Sequence, residues 1–252
     1  MTTPRTHKIN PTVTVIMETV GSHQAKIARA INSFIAQEYR KARLLILNYH
    51  PSPLKLKSFM GIPQDVSIDV MNCEDHYVRH VYQHIHNLKQ VNTDCWTILD
   101  DDDWIEPDHI AQLVMCWNEA TDRTGDPLQV CGQNYLVHYE NEVKNLAFKG
   151  WAVSLFERLT PDEVDWCFKL FTPDVNVGSD TWIASNSYFD KRLFDGRPTY
   201  HWDRIGNDHI SQHENKRGDT DAARFEQTMR FWRLKMAARA SELQPVVLGN
   251  VT

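Results

Sequence analysis

Four consecutive aspartates, Asp100-Asp101-Asp102-Asp103, follow directly on the apolar run Cys95–Leu99 (CWTIL). No other feature limits the fold as much. The run before them has the length and composition of a fully buried strand. The aspartates cannot continue it into a core, because burying even one unpaired carboxylate costs several kcal/mol, and here four like charges adjoin. They belong where a strand leaves its sheet. In parallel α/β sheets that edge, beyond the carboxyl ends of the strands, is where ligands bind. A divalent cation would relieve the repulsion, and Mg²⁺ or Mn²⁺ accepts one or two carboxylates completed by phosphate oxygens. Side chains two apart share a side of an extended segment, so Asp100 and Asp102 are expected to face one site. The plainer alternative is a solvated acidic loop leading into the next helix, with Asp103 as its cap.

The rest of the first half supports a parallel sheet. Thr12–Met17 is β-branched and reads as a buried strand. From Ser22, a potential N-cap, to Glu38, the residues Ala25, Ile27, Ala28, Ile31, Phe34 and Ile35 recur at helical spacing. Arg43–Leu47 is a second strand, and strand–helix–strand order favours a right-handed parallel crossover. Val66–Val70 alternates as a third strand, Tyr77–Gln90 reads as a helix, and Pro107–Ala120 as a helix with proline in its first turn. Beyond it, Gln129–Tyr139 and Val143–Ser154 read as two long strands joined in a hairpin at Glu140-Asn141. Pro161–Phe171 reads as a short helix, Asp180–Asn186 as a strand, and Ala222–Leu243 as a long helix without internal Gly or Pro. The expected fold class is α/β: a mostly parallel central sheet flanked by helices, with a smaller mixed half. The expectation is one compact domain over residues 1–252, with a nucleotide-binding half at about 12–120 and an acceptor-binding half at about 121–252.

Composition narrows the function. The chain has 252 residues, 42% of them apolar and 24% charged, as in ordinary globular domains. No apolar run approaches the ~20 residues of a membrane span, and Met1–Asn10 lacks the apolar centre of a signal peptide, which points to a cytoplasmic protein. The five cysteines are scattered without a C-x-x-C pair, which argues against a disulfide framework or zinc knuckle. A net charge of −6 argues against a surface devoted to nucleic acid. Locally the balance reverses: on the last helix Arg224, Arg230, Arg233, Lys235 and Arg239 stand against only Glu226 and Glu242, and Lys216-Arg217 precede it. That stretch reads either as a solvated helix face or as a contact for a phosphate-bearing acceptor.

With these residues in view, the chain resembles the inverting family 2 glycosyltransferases of GT-A fold. The resemblance rests on the strand order, on Gln37-Glu38-Tyr39 after the first helix, and on Thr97-Ile98-Leu99-Asp100-Asp101-Asp102-Asp103-Trp104 with Pro107 behind it. It is clearest over about residues 12–120 and resumes around Val177–Gln212. It implies an Asp-x-Asp motif at Asp100 and Asp102, with Asp100 on the ribose or metal, Asp102 on Mn²⁺ or Mg²⁺, and Asp101 beside the donor. Glu18, Thr19 and Gly21 would hold the nucleotide. Where the family has an acidic residue that reads uracil, this chain has Asn48, whose amide offers both a donor and an acceptor. A basic residue ahead of the metal strand maps to Arg79, with His80 and His84 as alternatives. The donor implied is a nucleotide sugar, a UDP-sugar first.

The same resemblance places a catalytic base within His201–Ser211, where Asn207-Asp208 stands for the usual Glu-Asp. Asp208 is the expected general base, with Asp203 as runner-up. A C-terminal histidine often completes the metal shell, and His213 is the first choice here over His209. Trp182 and Asn186 would line the sugar and acceptor site, although for Trp182 a core position is the first reading. The acceptor class expected first is a hydroxymethylated pyrimidine in DNA, of the kind modified in viral genomes, and otherwise a surface glycan or protein. Two other classes compete. A nucleotidyl- or sugar-phosphate transferase would carry a basic Gly-rich loop after the first strand, where this chain has Glu18-Thr19-Val20-Gly21-Ser22. A catalytically inactive nucleotide-sugar-binding protein would have no reason to keep both Asp102 and Asp208.

Overall fold

The computed structural model describes residues 10–19, 24–50, 52–54, 61–73, 88–124, 129–131, 135–146, 153–158 and 198–205. In chain order they form β1 (Val13–Thr19), α1 (Gln24–Ile35), β2 (Ala42–Asn48), β3 (Ser67–Asn72), a 3₁₀ turn at Leu88–Gln90, β4 (Cys95–Ile98), β5 (Trp104–Ile105) and α2 (His109–Thr124). After these come β6 (Gln129–Cys131), β7 (Tyr135–His138), β8 (Val143–Leu146), β9 (Ser154–Glu157) and β10 (Tyr200–Asp203).

The larger sheet has the order β3-β2-β1-β4-β9-β6. Its first four strands are parallel, with Thr19 in register with Asn48, Asn48 with Asn72, and Ile16 with Ile98. β9 runs antiparallel to both β4 and β6. β1 is buried on both faces, as its β-branched sequence requires of a central parallel strand, whereas β3 at the edge exposes Ser67 and Asp69. α1 turns Ile27, Ala30, Ile31 and Phe34 inward, the i, i+3, i+4, i+7 stripe of an amphipathic helix. Beyond β4, Trp96 stacks on Phe156 with ring centroids 4.3 Å apart, and its Nε1 donates to the Glu157 carbonyl at 3.1 Å. The mixed α/β class and the parallel-rich sheet are those expected.

A smaller sheet, β5-β10-β7-β8, adjoins the first. Here the structure corrects the strand reading. The hairpin at Glu140-Asn141 is present, closed by Tyr139 N–H donating to the Glu142 carbonyl at 2.9 Å. Each of the two long runs is nevertheless divided: β6 and β9 join the larger sheet while β7 and β8 join the smaller. A single strand from Gln129 to Tyr139 would extend about 35 Å, far past the four-residue β4. β5 and β10 had no counterpart in the sequence reading, because two and four residues show no period of their own. Within the sheets, β5 pairs with β10 and β9 with β4, both antiparallel. The helices read at 161–171 and 222–243 and the strand at 180–186 lie outside the described residues, as does most of the helix read at 77–90. Among the described residues no helix is long and apolar enough to cross a membrane.

Candidate active site

Parallel pairing brings the carboxyl ends of β1, β2, β3 and β4 to one edge, and the polar residues of the sequence motif collect there. β1 ends in Thr19, β2 in Asn48 and β3 in Asn72, while β4 runs through buried Leu99 into Asp100. Leu99 N–H donates to the Ile16 carbonyl at 3.0 Å, which carries the β1–β4 pairing up to the first aspartate. Glu18, Thr19, Asn48, Asp100, Asp101 and Asp102 thus share one edge of the sheet.

The aspartates do not form an extended segment. Asp103 N–H donates back to the Asp100 carbonyl at 3.1 Å, folding the four into a tight turn. The alternation argument for Asp100 and Asp102 therefore fails, and each residue's direction comes from the turn and its anchors. Asp101 accepts a 2.5 Å hydrogen bond from the Thr19 hydroxyl, which ties the turn to the end of β1. The Asp102 carbonyl accepts from Arg29 Nη2 at 2.6 Å. Asp103 points inward, 1% exposed, and accepts from the Tyr200 hydroxyl at 2.7 Å and from Asp203 N–H at 2.8 Å. It is not the cap of the following helix, which begins at His109. Its task is to fasten the turn to β10.

Charge at the turn follows from this packing. Burial, and then the neighbouring Asp100 and Asp102 carboxylates, hold the Asp103 carboxyl well above the usual range, against the opposing bonds from Tyr200 and Asp203 N–H. Burial, with Asp103 and Asp100 beside it, likewise keeps the Tyr200 phenol protonated, as a donor must be. Adjacent carboxylates are of the kind a divalent cation bridges, and their hard oxygen donors suit Mg²⁺ or Mn²⁺. Among the described residues no group of three or more His, Cys, Asp or Glu side chains is placed to hold a metal ion by itself.

Helix α1 supplies anchors that the sequence reading missed. Arg29, Ser33 and Gln37 recur every four residues along one line of the helix and its exit. They engage the backbone that follows the aspartates: Arg29 the Asp102 carbonyl, Ser33 Oγ the Ile105 N–H at 3.2 Å, and Gln37 both the Glu106 carbonyl at 2.7 Å and the Ile110 N–H at 3.1 Å. Glu38 N–H adds a 2.8 Å bond to the Pro107 carbonyl. The four-residue spacing was visible in the sequence, but nothing local named the partners. Beside them, Arg29 lies over the Trp104 ring, 4.0 Å from its centroid, and Trp104 stacks on His201 at 4.7 Å. His201 in turn bridges His138 at 2.9 Å and Glu106 at 2.8 Å.

Two expected site residues have informative surroundings. Asn48 is buried, and its amide donates to the Ser52 carbonyl at 3.0 Å and to Asn72 Oδ1 at 2.9 Å while accepting from His50 N–H at 3.3 Å. Reading a base with this amide means exchanging those bonds. Asp203, the runner-up base, is ion-paired with Arg29, and with Lys26 at 3.7 Å. Burial would raise its carboxyl, but hydrogen bonds from Arg29 and Ile205 N–H, with the Lys26 and Arg29 charges, outweigh it and hold the group below its ordinary range. A carboxylate so stabilised is a poor proton acceptor. Gly21, Arg79, Trp182, Asn186, Asp208 and His213 lie outside the described residues, as does the basic stretch 216–239.

No protein-family model matches the chain, and no curated protein matches it. Solved structures do. A fragment of TarS from S. aureus, residues 1–349, in complex with UDP-GlcNAc superposes with a TM-score of 0.58 at 13% identity, covering 89% of this chain and 66% of that one. The same fragment without ligand gives 0.55 at 12% identity, over 76% of this chain and 60% of that one. A longer TarS chain gives 0.53 at 12% identity, over 89% and 39%. The present chain thus spans less than two thirds of those proteins, and what it shares with them is the fold: mixed α/β, GT-A-like, with a parallel-rich sheet.

Proposed function

We propose that the chain is a metal-dependent glycosyltransferase that moves a sugar from a nucleotide-sugar donor, a UDP-sugar first, to an acceptor hydroxyl with inversion. The observation that carries this reading is the acidic turn at the carboxyl edge of the parallel strands, tied to β1 through Thr19–Asp101. In support, the TarS fragment of like fold is known in complex with UDP-GlcNAc. Glu18, Thr19 and Gly21 hold the nucleotide, with Asn48 at the base and Arg79 toward the phosphates. Asp102 and Asp100 hold Mn²⁺ or Mg²⁺ together with diphosphate oxygens, and His213 completes the set. The ion supplies charge stabilisation to the departing diphosphate. Asp208 takes the acceptor's proton as its oxygen bonds to the anomeric carbon and the bond to the nucleoside diphosphate breaks. The salt-bridged state of Asp203 favours Asp208 over it.

For the acceptor, the basic stretch from Lys216 to Arg239 favours a phosphate-bearing molecule. Hydroxymethylated-pyrimidine DNA with Trp182 and Asn186 at the acceptor hydroxyl is the first choice, and a surface glycan or protein the second. The test follows release of free nucleoside diphosphate from a panel of UDP- and GDP-sugars with Mn²⁺ or Mg²⁺, alone and with modified or unmodified DNA. The expected outcome is metal-dependent release from one donor, reduced at least ~100-fold in Asp102→Ala, as for loss of a transition-state charge stabiliser. Stimulation by hydroxymethylated DNA alone would identify the acceptor; equal inertness of both DNAs moves it to a glycan or protein. Metal-dependent binding without turnover on any acceptor would leave a binding protein, and no binding at all would end the reading.

A further inference from the structure

Arg29 stands between the two parts of the proposed site. From α1 its Nη2 donates to the Asp102 carbonyl at 2.6 Å and to the Asp203 carboxylate. Asp203 N–H donates in turn to Asp103 Oδ1 at 2.8 Å. The circuit Asp102–Arg29–Asp203–Asp103 closes on itself, so the aspartate turn is held at two successive residues: at 102 by its carbonyl and at 103 by its carboxylate. The guanidinium is fixed in plane by Trp104, which is itself stacked on His201 of β10. Lys26, one helical turn before Arg29, adds its ion pair to Asp203 and a 3.3 Å bond to the Ile205 carbonyl. α1 therefore grips both the turn and the exit of β10.

We propose that Arg29 is a positioning residue: it sets the Asp102 turn for a metal–diphosphate and locks that turn to β10, from which the chain continues to Asp208. The inference rests on the glycosyltransferase reading above. It does not require Arg29 to touch the donor. A planar guanidinium serves a carbonyl and a carboxylate while lying flat on an indole. Lysine at this position keeps the charge opposite Asp203, but its shorter, non-planar tip cannot both lie on Trp104 and reach the Asp102 carbonyl.

The test measures UDP binding by calorimetry with and without Mn²⁺ for wild type, Arg29→Ala and Arg29→Lys. Hydrogen exchange at the amides of residues 103–105 is followed in the metal-free proteins. In both variants we expect UDP affinity without Mn²⁺ to be unchanged, the affinity gained on adding Mn²⁺ to fall by about tenfold, as for loss of one charge-assisted hydrogen bond, and the turn amides to exchange faster. A purely structural role would lower both binding arms together, and that outcome overturns the proposal. If Arg29→Ala does not fold, Arg29→Lys decides alone. Wild-type Mn²⁺-dependent affinity and wild-type exchange in Arg29→Lys overturn Arg29's role and leave the site reading intact. Absence of any Mn²⁺-dependent UDP affinity in the wild type overturns the site reading itself, and this inference with it.

Discussion

Asp103 differs in kind from the three aspartates before it. Asp100 to Asp102 keep partial exposure at the edge of the sheet, while Asp103 is enclosed and bonded to Tyr200 and to the Asp203 amide. Replacing Asp103 with Ala leaves the buried Tyr200 O–H and the buried Asp203 N–H without acceptors, at a cost of about 3 kcal/mol. Asp103→Asn should cost less. Its oxygen can still accept from Asp203 N–H, only the Tyr200 hydroxyl loses its acceptor, and the like-charge burden from Asp100 and Asp102 disappears. Urea unfolding of the two variants checks the ranking, and an Asn variant as unstable as the Ala one would refute it. Asp203 carries a pH signature. Its carboxyl is held below the ordinary value of about 4, chiefly by Arg29 once burial is overcome. The unfolded chain therefore takes up this proton first as pH falls, and the Arg29–Asp203 contribution, fully present above that value, is lost as pH drops through the folded-state pKa. The stability gap between wild type and Asp203→Asn should be constant near neutrality and close in acid; a gap independent of pH would refute it.

At the scale of elements, the legible part was the apolar part. The stripe of α1 is periodic and the runs of β1, β2 and β4 are near-continuously apolar, and burial follows both patterns. The polar ladder Arg29, Ser33, Gln37 had a readable spacing but unreadable partners, because these are backbone groups on a segment some seventy residues away in sequence. Gln37 is the most enclosed rung, 2% exposed, and holds both the Glu106 carbonyl and the Ile110 N–H. Gln37→Ala should cost about 2 kcal/mol and loosen the start of α2, read as faster hydrogen exchange at residues 110–113; slower or unchanged exchange there would refute the role. The division of 129–139 and 143–154 between sheets was not legible, since a strand's alternation carries no mark of which sheet it joins.

For the whole molecule, the sequence alone determined the class of the fold and the placing of the aspartate run, the candidate site, at the end of a buried strand. Alternating buried strands and an amphipathic helix impose parallel crossovers, and four adjacent carboxylates can sit only where a strand leaves its core. Both conclusions follow from local burial energetics, which composition and period express directly. What the tertiary structure decided is how that site is built. It made the aspartates a turn instead of an extension, assigned Asp103 to β10 and Asp101 to Thr19, neutralised Asp203 with Arg29, and engaged Asn48 with Asn72. Each of these is a hydrogen bond or ion pair between residues far apart in sequence. Their partners are set by where parallel strands end beside one another, a relation of register and crossover that no local pattern of residues encodes.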